Sequence, residues 1–259
     1  MSADAAAGRL ARGGALITGA ARRIGRALAL KAQAAGYDVA IHCRVADDDA
    51  RALADELGTL GGRAGVVEGD LTRDAELETL TARAAEAVGP LTLLVNSASL
   101  FEDDRIQTLT PASWDAHMAA NLRAPLLLAQ AFAAQLPADR EGLIVNILDQ
   151  RVLRPTPQFF SYALSKAALW RATRMMAQAL APRIRVNGVG PGPTLASIHQ
   201  SPEDFSAEIA GLPLERGAAP EEIADALAYL IDARSVTGQM IAVDGGQHLA
   251  WKTPDIIDP

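Results

Sequence analysis

Apolar residues along the chain fall into short runs that alternate with longer amphipathic stretches. Ala15 to Thr18 is a short apolar run, and Arg22 to Ala35 carries apolar residues at helical spacing before Gly36 stops it, so the chain opens strand, turn, helix. Tyr37 to Cys43 reads as the next strand, and Asp47 to Leu60 as the next helix, ended by Gly61-Gly62. The same alternation gives further strands at Gly65 to Glu68, Leu91 to Val95, Leu143 to Ile147, Ile184 to Val189 and Met240 to Val243. Helices are predicted between them at Arg73 to Val88, Pro111 to Leu136, about Pro157 to Ala181, and Pro220 to Ile231. Short connections imply a parallel sheet with helices on both faces, because right-handed crossovers return each strand to the same sheet. Seven strands in unbroken alternation predict one doubly wound α/β domain over residues 14–259, preceded by a flexible stretch at 1–13. The irregular segment Gly190 to Gly217, with a weak helical patch at Pro202 to Ala210, reads as a substrate loop.

Composition narrows the partners. At 259 residues and 49% hydrophobic, the chain is long enough to bury a full core. A formal net charge of −7 gives no support for a nucleic-acid or anionic-membrane ligand, both of which call for clustered Lys and Arg. No apolar run approaches the ~20 residues that span a bilayer, and residues 1–13 lack a signal-peptide hydrophobic region, so a soluble protein is expected. The single cysteine, Cys43, excludes an internal disulfide and suits a reducing cytoplasm. His42, His117, His199 and His248 are scattered, with no Cys/His cluster, so no metal site is expected.

Two local patterns carry chemistry. Thr18-Gly19-Ala20-Ala21-Arg22-Arg23-Ile24-Gly25 lies between the first strand and the first helix. Gly19 permits a tight turn, Ala20 and Ala21 let the backbone approach a ligand, Gly25 allows close helix–strand packing, and the helix start offers N–H groups to phosphate. The second pattern runs from Asn146 to Lys166. It places Asp149 at a strand end, with Tyr162 and Lys166 four apart on one helix face. A lysine charge one turn away is expected to stabilise the phenolate and lower the tyrosine pKa, making the pair proton-transfer machinery. The same spacing also occurs in helices where the tyrosine merely packs and the lysine is solvated.

In order along the chain, the T-G-x(5)-G turn, the N-S-A-S segment after the fourth strand, Asn121, Tyr162-x-x-x-Lys166, Pro191-Gly192 after Asn187, and the V-D-G-G of Val243 to Gly246 resemble the short-chain dehydrogenase/reductase family. The resemblance covers about residues 14 to 247 and implies a Rossmann-type fold. Most members have glycine where Arg23 stands, N-A-G at Ser97-Ala98-Ser99, and serine at Asp149, thirteen residues before Tyr162. The T-G-A-A-R-R-I-G, N-S-A-S-L-F and Asp149 found here, with the V-N-G-V-G-P-G of Val186 to Gly192, are instead similar to the pteridine reductase branch.

The second strand ends Ile41-His42-Cys43-Arg44, without the acid that NAD-preferring sheets place there. A cationic end at His42 and Arg44, reinforced by Arg22, suits the extra phosphate of NADP. Asp47, Asp48 and Asp49 read as the acidic start of a helix. Asp70-Leu71 resembles the family's adenine-binding pair, and Asn96 the residue beside the adenosine ribose. Gly19, Arg23, Ile24, Ser97, Ala98, Pro191 and Gly192 complete the cofactor contacts that the resemblance implies.

It also implies a pterin substrate. Phe101 occupies the position that sandwiches the ring, and Ser99 and Arg23 match positions that contact substrate or cofactor phosphates. Phe159 and Phe160 either wall the cavity or cap the core. Reduction of a ring C=N bond needs a protonated nitrogen, which Tyr162 coupled to Asp149 is suited to supply. Lys166 is expected to hold the nicotinamide ribose, and Asn121 a water linking the lysine to solvent. The expected function is therefore an NADPH-dependent pterin or folate reductase, cytoplasmic and, as in relatives, homotetrameric. Two alternatives stand beside it: an NADPH-dependent ketone reductase, and a non-catalytic NADP-binding interaction module.

Overall fold

The computed structural model describes residues 12–196 and 200–251. The flexible stretch expected at 1–13 therefore falls, for residues 1–11, outside the described residues, as does His199. Seven strands form one parallel sheet: β1 Gly13–Ile17, β2 Tyr37–Cys43, β3 Ala64–Glu68, β4 Leu91–Asn96, β5 Gly142–Ile147, β6 Ile184–Pro191 and β7 Met240–Val243. Their spatial order is β3-β2-β1-β4-β5-β6-β7, and every neighbouring pair is parallel.

The helices are α1 Arg23–Ala34, α2 Asp48–Thr59, α3 Asp74–Val88, α4 Pro111–Met118, α5 Ala124–Gln135, α6 Phe160–Leu180, α7 Pro202–Ala210 and α8 Pro220–Asp232. They cover both faces of the sheet. Leu28 of α1, Leu53 of α2 and Leu227 of α8 share one buried cluster with Ile17, Ile41 and Val95. Leu80 of α3, Leu128 and Phe132 of α5 and Ala177 of α6 share the other with Leu16, Leu94 and Ile144. Alternate residues of the central strands thus feed opposite layers, each fully buried Leu or Ile contributing about 1.5–3 kcal/mol.

Three predicted elements differ in detail. The helix expected from Pro111 to Leu136 is broken by a π-turn at Ala119–Arg123, which rotates Asn121 into the buried interior. α6 begins at Phe160 instead of about Pro157, because Phe159 takes a left-handed conformation with φ 51° and ψ 51°. The segment expected to be an irregular substrate loop, 190–217, is more regular than its composition suggests: Gly190 and Pro191 extend β6, and Ser201 caps α7 by accepting from Asp204 N at 3.1 Å. No helix among the described residues is long and apolar enough to cross a membrane.

Candidate active site

The strand order reverses between β1 and β4, so their carboxyl ends flank a crevice. Thr18 Oγ1 accepts from Ser97 N at 2.9 Å and Ala98 N at 3.0 Å, which ties the two loops together. Gly19 has φ 65°, and a Cβ there would lie 2.9 Å from Ala98 Cα. A methyl on Gly25 would overlap the Gly19 carbonyl. The two glycines let α1 begin hard against the turn, and no side chain caps it at Arg22. An uncapped helix start at the rim of a crevice fits a phosphate group.

His42 holds this turn from below. It is buried, its Nδ1 accepts from Gly19 N at 3.2 Å, and its Nε2 lies 2.9 Å from Gly69 O, which places the ring proton on Nε2. Burial lowers its pKa to about 4, so it is neutral. The cationic end expected at His42 and Arg44 therefore reduces to the exposed Arg44. Arg22, exposed at the same rim, is paired with Asp47, at 2.6 Å, and with Asp49. Asp47 also caps α2, accepting from Ala50 N at 3.1 Å.

The remaining cofactor candidates lie around the same rim. Asp70 follows β3, with Thr72 N and Oγ1 donating to its Oδ1 at 2.9 and 2.7 Å, and Leu71 is buried beside it. Asn96 Nδ2 donates to Asn146 Oδ1 at 2.8 Å, joining the ends of β4 and β5. Gly192 admits no side chain, since a Cβ would come within 2.6 Å of Asp244 Cα. A cavity of about 790 Å³ joins Arg23, Ile24, Ser97, Pro191 and Gly192 to Ser99, Phe101, Asp149, Tyr162 and Lys166. Ten of the predicted residues thus face one space.

Arg23 deserves its glycine-like setting: its φ is 52°, in the left-handed region that costs a bulky side chain about 1 kcal/mol or more. Its guanidinium donates to Leu195 O at 3.1 Å and Ala196 O at 3.3 Å, linking the glycine turn after β1 to the segment after β6. Asn121 uses both its donors and its oxygen on neighbours. Nδ2 donates to Leu100 O at 2.9 Å and Ser165 Oγ at 3.1 Å, while Oδ1 accepts from Leu100 N at 2.8 Å and Ser99 Oγ at 3.3 Å.

At the opposite wall, Asp149 follows β5, and its Oδ1 accepts from Arg151 N at 2.8 Å. Tyr162 Oη donates to Asp149 Oδ2 at 2.8 Å. Lys166 Nζ donates to Ile147 O at 2.8 Å, and burial lowers its pKa to about 8. The expectation that Lys166 lowers the Tyr162 pKa is overturned. Burial raises it well above 10, and the Asp149 charge and hydrogen bond raise it further, because both stabilise the neutral phenol.

Phe101 stacks on Phe159, with ring centroids 4.2 Å apart and planes 12° from parallel, and meets Tyr162 edge-on at 4.7 Å. This settles the two readings of the paired phenylalanines: Phe159 walls the cavity and Phe160 does not line it. Arg151 lies over both stacked rings, at 5.7 and 5.1 Å, and 3.9 Å from Asp149 Oδ2. At the far end, Glu208 accepts from Gln200 Nε2 at 2.8 Å and Gln247 Nε2 at 2.9 Å. Sequence reasoning missed Arg151 and Glu208. Arg151 lies two residues beyond Asp149, which was the signal available; nothing in the local pattern marks Glu208.

A family model described as enoyl-(acyl carrier protein) reductase matches residues 19–248. The chain is 50% identical to FolM alternative dihydrofolate reductase 1 from Brucella canis, a structure complexed with NADP, covering 96% of this chain and 99% of that one with a TM-score of 0.92. It is 28% identical over 240 residues to the 3-oxoacyl-[acyl-carrier-protein] reductase FabG of Staphylococcus epidermidis, 91% of this chain and 98% of that protein. Identity to the short-chain dehydrogenase/reductase eriH of Hericium erinaceus is 32% over 247 residues, 92% of this chain and 98% of that protein. Matched along almost its whole length, and itself carrying a glycine turn and a tyrosine–lysine helix on one crevice, this chain belongs to the short-chain dehydrogenase/reductase family, on its pteridine reductase-like side.

Proposed function

We propose that the chain is an NADPH-dependent reductase of pterin-type substrates: a dihydropterin, dihydromonapterin or dihydrofolate. The observation that carries this reading is the Tyr162–Asp149 hydrogen bond facing a cavity walled by Phe101. A flat ring with polar edges calls for an aromatic face beside a proton donor, and that combination is present. Similarity to a FolM dihydrofolate reductase supports the substrate class.

NADPH, when bound, supplies the hydride. The uncapped start of α1 with Gly19, Arg23 and Ile24 would hold its pyrophosphate, and Arg44 its extra phosphate. Asp70 and Leu71 would flank the adenine, Asn96 the adenosine ribose, and Ser97, Ala98, Pro191 and Gly192 the nicotinamide half. Lys166 would orient the nicotinamide ribose, with Asn121 fixing the Ser99–Leu100 segment beside it.

Proton delivery falls to the Tyr162–Asp149 pair. The phenol stays protonated at neutral pH, so it arrives at the reaction as an acid. Tyr162 Oη would give its proton to a ring nitrogen, and the phenolate would then be reprotonated from solvent by way of the Asp149 carboxylate to which it is hydrogen-bonded. Ser99 and Arg23 would contact the substrate edge or the cofactor phosphates. We propose further that the enzyme is cytoplasmic, which its single, buried cysteine suits, and homotetrameric, as the family resemblance implies.

The test is NADPH oxidation against dihydropterins, dihydrofolate, quinonoid dihydropterin and simple ketones. Saturation by at least one pterin or folate is expected. The second reading, a carbonyl reductase, is favoured by the 3-oxoacyl reductases among the relatives. It predicts saturation by ketones or 3-oxoacyl substrates alone, and that result overturns the pterin assignment.

A further inference from the structure

The helix that carries Tyr162 has no cap of its own. Phe159, at its N-cap position, is left-handed and makes no side-chain cap bond. The opening N–H groups are taken instead by a loop more than fifty residues earlier. Phe159 N donates to Asp103 Oδ1 at 3.2 Å, Phe160 N to Asp104 O at 3.0 Å, and Ser161 N to Asp104 Oδ1 at 2.8 Å. The second carboxylate oxygen of Asp104 accepts from the hydroxyls of both Ser161 and Ser113. His117, fully buried, braces the group. Its Nδ1 lies 2.8 Å from Ser161 Oγ and 2.9 Å from Ser113 O, and its Nε2 accepts from Glu102 N at 3.3 Å.

Asp104 is only 4% exposed. A buried carboxylate persists only when its oxygens are satisfied. Burial acts to raise its pKa, yet the hydroxyl and backbone donors outweigh that and hold it below the ordinary carboxylate value. It is ionised, and both of its oxygens are occupied: Oδ1 by the Ser161 N–H and Oδ2 by the Ser161 and Ser113 hydroxyls. The same loop carries Phe101, three residues earlier, and Phe101 is pressed between Phe159 at the start of α6 and the edge of Tyr162.

We propose that Asp104 is a positioning residue: by capping α6 from the Phe101 loop, it fixes the spacing between the aromatic wall and the proton donor. The inference rests on the reading of this cavity as a reductase site. The placement is rigid at both ends, because the loop is tied to α6 through Asp103 and Asp104 and to the π-turn through Asn121. A flat substrate enters beside Phe101, so an error in that spacing changes how its reacting bond meets Tyr162 Oη. Small misplacements of this kind cost far more in rate than in stability.

The experiment is a double-mutant cycle on the full-length enzyme with Asp104→Asn and Phe101→Leu. Asp104→Asn keeps the side-chain volume and one acceptor, and Ser161→Ala serves as a milder second variant that removes the hydroxyl's bonds to Asp104 and His117 and leaves the Ser161 N–H bond to Asp104 in place. For Asp104→Asn we expect kcat/KM for the substrate to fall about tenfold or more, with NADPH affinity within about twofold of wild type. Added to Phe101→Leu, it should cost little further, because both act on one spacing. Additive losses, or an equal loss of NADPH affinity, would overturn the proposal, as would Asp104→Asn and Ser161→Ala both retaining wild-type kcat/KM. If the wild-type enzyme turns over only ketones, the pterin reading falls, and the same cycle run with the ketone still decides the role of Asp104.

Discussion

Two helix amino termini face the same crevice, and they are finished in opposite ways. α1 starts without a side-chain cap, pressed against Gly19 so that its donors are left for a ligand. α6 starts with its donors bound by Asp103 and Asp104 from another loop. The difference follows from what each end must do. A phosphate site needs unpaired N–H groups and backbone free of Cβ atoms, whereas a proton donor needs a side chain held in one place. His42 shows the same division of labour: neutral and buried under the turn, it holds the Gly19 backbone and leaves charge to the rim.

The largest effect that sharpens this comparison is expected at the closed end. Tyr162→Phe should lower kcat by about a thousandfold while leaving NADPH affinity and melting temperature near wild type. A matched loss of NADPH binding would mean that the two ends are not separable. At the open end, Gly25→Ala should do the reverse. The methyl collides with the Gly19 carbonyl, so the variant should lose about 1–3 kcal/mol of stability, with NADPH affinity falling more than kcat. Denaturant titration and cofactor binding by fluorescence would check both.

A smaller effect is expected from His42. Its folded pKa, about 4, lies below the unfolded value of 6.5, so the unfolded chain takes up a proton that the folded chain resists. Its contribution is fully present above pH 6.5 and is lost as pH falls toward 4, by roughly 3 kcal/mol. Unfolding free energy measured across that window should decline less steeply in His42→Asn than in wild type. Identical slopes would show that His42 is not buried neutral.

The open end was legible in the sequence because its parts are adjacent. Gly19 and Gly25 sit within one eight-residue turn, and the alternation of strand and helix places that turn at the crevice. Asp149, Tyr162 and Lys166 were legible for the same reason, lying on one strand end and the helix that follows. What was not legible depends on distance or depth. The Asp104–Ser161 contact spans 57 positions, and no local period announces it. The late start of α6 is its consequence, since the loop and not the helix sequence supplies the cap. The pairing of Arg22 with Asp47 and Asp49 depends on where α2 begins in space. The direction of the Tyr162 shift turned on burial and on which neighbour reaches the hydroxyl, and Asp149 reaches it while Lys166 bonds to Ile147.

The central claim is that Asp149 works with Tyr162 to protonate a pterin ring. Steady-state reduction of a dihydropterin by wild type and Asp149→Ser, alongside NADPH affinity for both, tests it most directly. The account predicts that the serine variant loses pterin turnover by about a hundredfold while still binding NADPH. Undiminished pterin turnover in Asp149→Ser would contradict it.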